Sequence, residues 1–391
     1  MKDTTRWLLP TTITVVLVML GLMTAPVTPT ASATPPQRPV TLALESKFFV
    51  RDSVYAVGED PFYVAAADID GDSRSDLVIT SYRSGTVNIL LNKGDGTFSE
   101  TPQYPSAQGV FGLALADIDG DGTIDVVVTN QLTSITSVLY NRGDGMLASS
   151  DEIIAGGSPH TVAIADLDGD SRPDIVVPNY QVGAVSAFMN LANGTFSDRV
   201  TYPTHAAPFC AVAADLNQSG APDIAVTSYK EGFVDVMWND GEGGLSMRTV
   251  YEVGESLWSL ASADFDGNGV QDLAVTQYTS GAVTIMLSAG GGSFTSSKDF
   301  KTSGSGPCWA TAFELDGDGA PDIAVVDAAA GLLTVLRNNG DGTFQIADEF
   351  ATRGGGPSVV AAADFDGDGR DDLAVTHWET NDVAVFLNRA A

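Results

Sequence analysis

An all-β fold, a seven-bladed β-propeller with four-stranded antiparallel blades closed by an N-terminal strand, is predicted by three features of the sequence. A nine-residue acidic loop recurs seven times, starting at Asp68, Asp117, Asp166, Asp215, Asp264, Glu314 and Asp364, at spacings of 49 or 50 residues. A period of that size belongs to solenoids and propellers. Between the loops run four short apolar stretches separated by Gly, Asn and Pro, without helical periodicity, so each unit reads as a small antiparallel sheet. After Asp364 only strands two and three follow, whereas residues 47–57 precede the first inner strand. The N-terminal strand is therefore expected to complete the last blade and remove the open edges. Phe48 sits 13 residues before Pro61, as Phe344 does before Pro357, which sets the expected alignment of that strand.

The second unit shows the pattern. An inner strand at 111–116 enters the loop, strand two covers 126–129, strand three lies near 137–141, and an outer strand lies near 152–155. Ala65, Ala114, Ala163, Ala261 and Ala361 share one column of the inner strands, where strands crowded round an axis leave little room for side chains. A second repeated turn, Asn92 to Phe98 and again Asn338 to Phe344, carries Gly-Asp-Gly for positive φ and a Phe that plugs the space between sheets.

The loop itself carries chemistry. In Asp117-Ile118-Asp119-Gly120-Asp121-Gly122-Thr123-Ile124-Asp125, carboxylates at positions 1, 3, 5 and 9 can aim several oxygens at one hard cation, with a carbonyl at position 7 and a water completing a calcium shell. An Asp/Gly turn without metal is the plainer alternative. Four like charges within nine residues repel one another unless a cation lies among them, and a mere turn does not need them. An EF-hand is excluded, because position 12 is Val128 where a bidentate Glu is required.

The formal charge is −31, and half of the 50 acidic residues occupy these loop positions, so the acidity is mainly a metal-site signature. It argues against nucleic acid as partner, which calls for a basic patch. Lys2 and Arg6 precede an apolar stretch from Leu8 to Met23 and then Ala31-Ser32-Ala33, in the order of an export signal. The alternative is an uncleaved membrane anchor, for which the stretch is short and broken by Pro10. The expected division is a signal peptide at 1–33, a Pro/Thr-rich spacer at 34–46 and the propeller at 47–391, in a protein secreted or held in the cell envelope, with no membrane span after cleavage. Cys210 and Cys308 fall in inner strands two blades apart, beyond disulfide reach, and are expected as buried thiols.

With its Asp-x-Asp-Gly-Asp-Gly-x-x-Asp loops, Gly-Asp-Gly-Thr-Phe turns, and Gly-Pro pairs at 306–307 and 356–357, the chain from about 47 to 388 resembles the FG-GAP or VCBS repeat family. That family includes integrin α-subunit propellers, secreted bacterial proteins and some fungal lectins. The resemblance implies calcium ligation at Asp68, Asp70, Asp72 and Asp76; at Asp117, Asp119, Asp121 and Asp125; and at Asp166, Asp168, Asp170 and Asp174. It implies the same at Asp264, Asp266, Asn268 and Asp272; at Glu314, Asp316, Asp318 and Asp322; and at Asp364, Asp366, Asp368 and Asp372. The fourth copy departs, with Asp215, Asn217, Ser219 and Asp223, and two charges in place of four should leave it weak or empty, so up to about six Ca²⁺ ions are expected.

The loops opposite the calcium face gather aromatic residues. After strand two, one column includes Tyr82, Tyr180, Tyr229, Tyr278 and Trp378; at the start of the inner strands another reads Phe62, Phe111, His160, Phe209, Trp258, Cys308 and Ser358, with Trp309 adjacent. His160, His205 and His377 fall on the same side. Such rings form either a platform for sugars or a partner protein, or a seal packed between blades. The resulting expectation is a monomeric binding module, lectin-like or adhesive, for carbohydrate or a cell-surface protein. Its expected site is Tyr82, Tyr180, Tyr229, Tyr278, Trp378, His160, His377, Trp258 and Trp309. A polysaccharide lyase or hydrolase is the alternative; no catalytic residue is assigned, since neither a Gly-x-Ser-x-Gly elbow nor a His-Glu-x-x-His motif occurs.

Overall fold

A computed structural model describes residues 45–390 apart from 193 and 246. The segment expected to be a signal peptide, and most of the spacer, lie outside these residues. The described chain forms seven small antiparallel sheets in succession, in which consecutive strands pair as neighbours. The second blade is typical, with Val110–Ala116, Asp125–Asn130, Ile135–Asn141 and Leu147–Ile154 from axis to rim.

Strand two of each blade is the most deeply buried. Asp125–Asn130, of sequence DVVVTN, is covered on both faces, which accounts for its continuous β-branched run in place of the alternation of a half-exposed strand. The core lies between blades. Ile69 and Val78 of the first blade pack with Leu113 and Val126 of the second in one cluster. The residue at position 2 of each loop, Ile69, Ile118, Leu167, Leu216, Phe265, Leu315 or Phe365, is buried in every copy. Burying one such side chain contributes about 1.5–3 kcal/mol.

The ring closes as expected. Phe49–Ala56 pairs antiparallel with Asp382–Asn388 as the outermost strand of the last blade. The alignment differs by one residue from the spacing argument: Phe49, not Phe48, stands opposite Asn388 as Phe344 stands opposite Asn338. Four residues join Ala56 to Pro61 where five join Ala351 to Pro357, so counting back from the proline overshoots by one. Phe49 packs near Phe313 and Phe350, at centroid distances of 6.3 and 5.8 Å.

Two blades depart from the pattern. The inner strand of the third is short, Ala163–Ala165, with an isolated bridge between Pro159 and Asn179. The outer edge of the first is split into Phe98–Glu100 and Tyr104–Pro105, which both pair with Thr86–Asn92. Cys210 and Cys308 are buried and unpaired, and burial pushes the Cys210 thiol up to about 11.

Candidate metal loops and the opposite face

Each loop is wound by its first carboxylate. Asp117 Oδ1 accepts from the amides of Gly120 (2.8 Å) and Asp121 (3.1 Å), and Oδ2 from Gly122 (2.9 Å). This curl needs φ of +79° at Gly120 and +90° at Gly122, which glycine adopts without strain. The last carboxylate ties the loop to the sheet: Asp125 Oδ2 accepts from the Ile118 amide and Oδ1 from the Asn141 amide, each at 2.9 Å. The same pair of bonds recurs at Asp76, Asp174, Asp272 and Asp372.

This winding brings carboxylates together. One oxygen each from Asp68, Asp70 and Asp76 lies within 4.8 Å of the others, and so do those of Asp117, Asp119 and Asp125, of Asp166, Asp168 and Asp174, of Asp264, Asp266 and Asp272, and of Glu314, Asp316 and Asp322. The donor set is all oxygen, which suits a hard divalent cation. Two further observations fit such an ion. Asp316 Oδ1 is buried without a hydrogen-bond partner. Burial, opposed by its two amide hydrogen bonds and reinforced by the neighbouring Asp119, pushes the Asp125 carboxyl up to about 6, a cost to its charged form that a nearby cation would offset. Asp76 and Asp272 are likewise pushed to about 6 and Asp322 and Asp372 to about 7, in each case chiefly by burial.

The expected fourth position behaves differently. At position 5, Asp121 accepts from the Thr123 amide at 2.8 Å and its hydroxyl at 2.6 Å. Asp72, Asp170 and Asp368 pair with Arg74, Arg172 and Arg370 two residues on. Asn268 donates from Nδ2 to the Ser288 carbonyl at 2.7 Å. Positions 1, 3 and 9 thus converge, while position 5 turns one oxygen to the amide of residue 7. Arg74, Arg172 and Arg370, all at position 7, were the signal in the sequence for that turn. In the fourth loop Asn217 Nδ2 donates to Asp223 Oδ1 at 3.2 Å, so a neutral amide stands where the other copies present a carboxylate.

A second column went unread in the sequence: Asn92, Asn141, Asn190, Asn239, Ser288, Asn338 and Asn388, each 24 residues after the first loop residue. Asn141, Asn190, Asn239, Asn338 and Asn388 donate from Nδ2 to the carbonyl of loop position 2 in the preceding blade, at 2.7–2.9 Å, and Ser288 Oγ does so at 3.1 Å. At the closing seam the Gly96 amide reaches the Phe365 carbonyl at 3.1 Å.

The opposite face carries a run of rings. Tyr82 meets Phe111 (6.4 Å), Phe111 meets His160 (5.1 Å), His160 stacks on Tyr180 (4.7 Å), Tyr180 meets Tyr229 (6.4 Å), Tyr229 meets Trp258 (6.1 Å), and Trp258 stacks on Tyr278 (5.2 Å). Lys230 Nζ lies 5.3 Å from the Tyr180 ring centre. Tyr82, Tyr229, Tyr278 and Trp378 are half-buried, and Tyr180 is 9% exposed.

The other residues expected at a ligand surface are inside. His160, Trp258, Trp309 and His377 are buried, because their columns lie on the inner strands or at the end of strand two, beneath the loop tips. Burial lowers the His160 pKa to about 3, so the ring is neutral. His377 Nδ1 is hydrogen-bonded to Asp382 Oδ1 at 2.8 Å. Of the three histidines only His205 has solvent access, and its Nδ1 lies 2.8 Å from the buried Asp235 Oδ1.

Solved structures share the architecture. BBS1N, in a complex with ARL6DN, matches with a TM-score of 0.63 at 12% identity, covering 87% of this chain and 96% of the other. Virginiamycin B lyase from Staphylococcus aureus gives 0.58 at 14%, covering 88% and 99%. An Agrocybe aegerita lectin that recognises non-reducing terminal N-acetylglucosamine gives 0.56 at 20%, covering 86% and 87%. At these identities the likeness is one of fold. No curated protein sequence matches the chain. The model of the FG-GAP-like repeat matches six overlapping segments, 68–128, 117–177, 166–226, 215–275, 264–325 and 314–375. These matches span most of the ring, and the chain belongs to the FG-GAP-like repeat family.

Proposed function

We propose that this protein is an exported, calcium-stabilised binding module that presents its aromatic face to carbohydrate or to a cell-surface protein. The observation that carries this reading is the unbroken path of rings from Tyr82 to Tyr278 across five blades, in which Tyr82, Tyr229 and Tyr278 pack against neighbouring rings and stay half-buried. A ring held on one side and wet on the other stacks against a sugar at little entropic cost, and its hydroxyl adds a directional hydrogen bond. Calcium in the carboxylate loops holds the blades that carry these rings, up to about six ions in all. Export rests on the order of charged, apolar and small residues in 1–33. Among the described residues no helix is long and apolar enough to cross a membrane.

The test is a calcium-replete glycan array read with the parent protein and with Tyr229→Ala and Tyr278→Ala. Binding without product release, lost in both variants while the melt is kept, supports the reading. Turnover of a polysaccharide that survives both substitutions and falls with His205→Ala would favour the lyase or hydrolase alternative, since His205–Asp235 is the solvent-accessible one of the two His–Asp contacts at 2.8 Å.

A further inference from the structure

Two loops contain a guanidinium where the cation would act. Arg337, the residue before Asn338 on the third strand of the sixth blade, places Nη2 2.6 Å from Asp316 Oδ2 and 3.4 Å from Asp318 Oδ2. Arg389, which follows Asn388, places Nη1 2.7 Å from Asp366 Oδ2 and 3.6 Å from Asp368 Oδ2. Both therefore engage position 3, one of the converging positions, and not only position 5 as Arg74 and Arg172 do. Among the described residues no guanidinium or ammonium pairs with the carboxylates of the second or fifth loop.

We propose that Arg337 and Arg389 are resident counter-ions that compete with calcium in the sixth and seventh loops, so that the ring fills in two classes, the second and fifth loops first. The inference rests on the metal reading of the loops. A divalent ion entering the sixth loop must share or displace the guanidinium on Asp316, whereas in the second loop Asp117, Asp119 and Asp125 meet it unpaired with any cation. The guanidinium side chains are 42% and 46% exposed, so they can swing into water when displaced. An exposed ion pair of this kind contributes up to about 1 kcal/mol, which corresponds to roughly fivefold in metal affinity. The other oxygen of Asp316, buried and without a partner, is the atom left for the metal while the arginine holds its neighbour.

The experiment is a competition titration of the metal-stripped full chain with CaCl₂ against a chromophoric chelator, at fixed ionic strength. It compares the parent with Arg337→Gln, Arg389→Gln and Arg83→Gln. Arg83 pairs with Asp60 away from any loop and removes the same charge at a distance. Glutamine keeps the length of the stem, and a melt in chelator checks that each variant is folded. Arg337→Gln and Arg389→Gln are each expected to tighten one of the weaker binding steps about fivefold, with the tightest steps and Arg83→Gln unchanged. Asp125→Asn should remove one of the tightest steps. Weaker steps that are unmoved, loosened, or tightened equally by Arg83→Gln would overturn the proposal while leaving the metal reading intact. A parent that takes up no calcium would overturn both.

Discussion

Asn141 Nδ2 of the second blade donates to the Ile69 carbonyl of the first at 2.7 Å, while its own backbone amide is held by Asp125 Oδ1 at 2.9 Å. One residue therefore connects the last carboxylate of its own loop to the loop of the neighbouring blade. The Ile69 amide in turn donates to Asp76 Oδ2 at 2.8 Å, so the seam bond and the carboxylate cluster share a peptide segment. Carboxylate clusters and blade seams are thus joined through shared residues.

Asn141→Ala removes the seam bond, a second bond to the Ile124 carbonyl at 3.0 Å and the cap on the Gly143 amide. It leaves two carbonyls and an amide without partners near the buried seam. A loss of about 2–4 kcal/mol is expected in urea unfolding, against about 1 kcal/mol or less for Ser288→Ala, whose seam bond is longer at 3.1 Å.

Positions 9 and 5 of the loop should separate by mutation. Asp125→Asn should abolish calcium uptake by the second loop, because its carboxylate belongs to the converging set and ties Ile118 and Asn141. Asp121→Asn should lower affinity by about tenfold or less, since that side chain is turned to Thr123. Calcium titration of the two variants reads the difference.

The metal-free protein should be more stable at pH 5 than at pH 7.5. Burial raises Asp76, Asp125, Asp223 and Asp272 to about 6, and Asp322 and Asp372 to about 7, above the value of 3.8 for a free carboxyl. Between those values the folded state binds more protons than the unfolded, so stability falls as pH rises through about 6 to 7. Melts in chelator across this range measure the slope. Protons and calcium compete for the same oxygens, so the stabilisation by calcium should be largest at the upper end.

His160 packs between Phe111 and Phe209 with Nδ1 buried and unpartnered. Its column carries Phe at 62, 111 and 209, so His160→Phe should match or exceed the parent in melting temperature, whereas His160→Ala should cost about 3–4 kcal/mol by opening a cavity. A large loss in His160→Phe would mean that the imidazole has a polar role.

The fold was legible because an uninterrupted period of 49 or 50 residues is set by one four-stranded unit, and the loop that starts each unit is unmistakable in composition. Closure by the N-terminal strand was legible from the missing outer strand, but its register was not. A connection one residue shorter before Pro61 changes the count without changing the pairing. The gathering of carboxylates at positions 1, 3 and 9 was legible; the turn of position 5 depends on hydrogen bonds to residue 7, visible in sequence as the Thr or Arg there. The aromatic face was half legible. Which ring is open depends on whether the neighbouring blade covers it, so Tyr82 and His160, both on the expected face, have different exposures. The asparagine column was periodic in plain view, yet an Asn before a Gly also reads as turn chemistry, and only the bond to the next blade reveals its second role.

The central claim is that divalent ions among the carboxylates lock the ring. Thermal unfolding at neutral pH in chelator and then in millimolar Ca²⁺ tests it most directly. Each site filled at a hundred times its dissociation constant contributes about 2.7 kcal/mol, so several sites should raise the midpoint by roughly 10 °C or more. Coincident melts in chelator and in calcium would contradict the account.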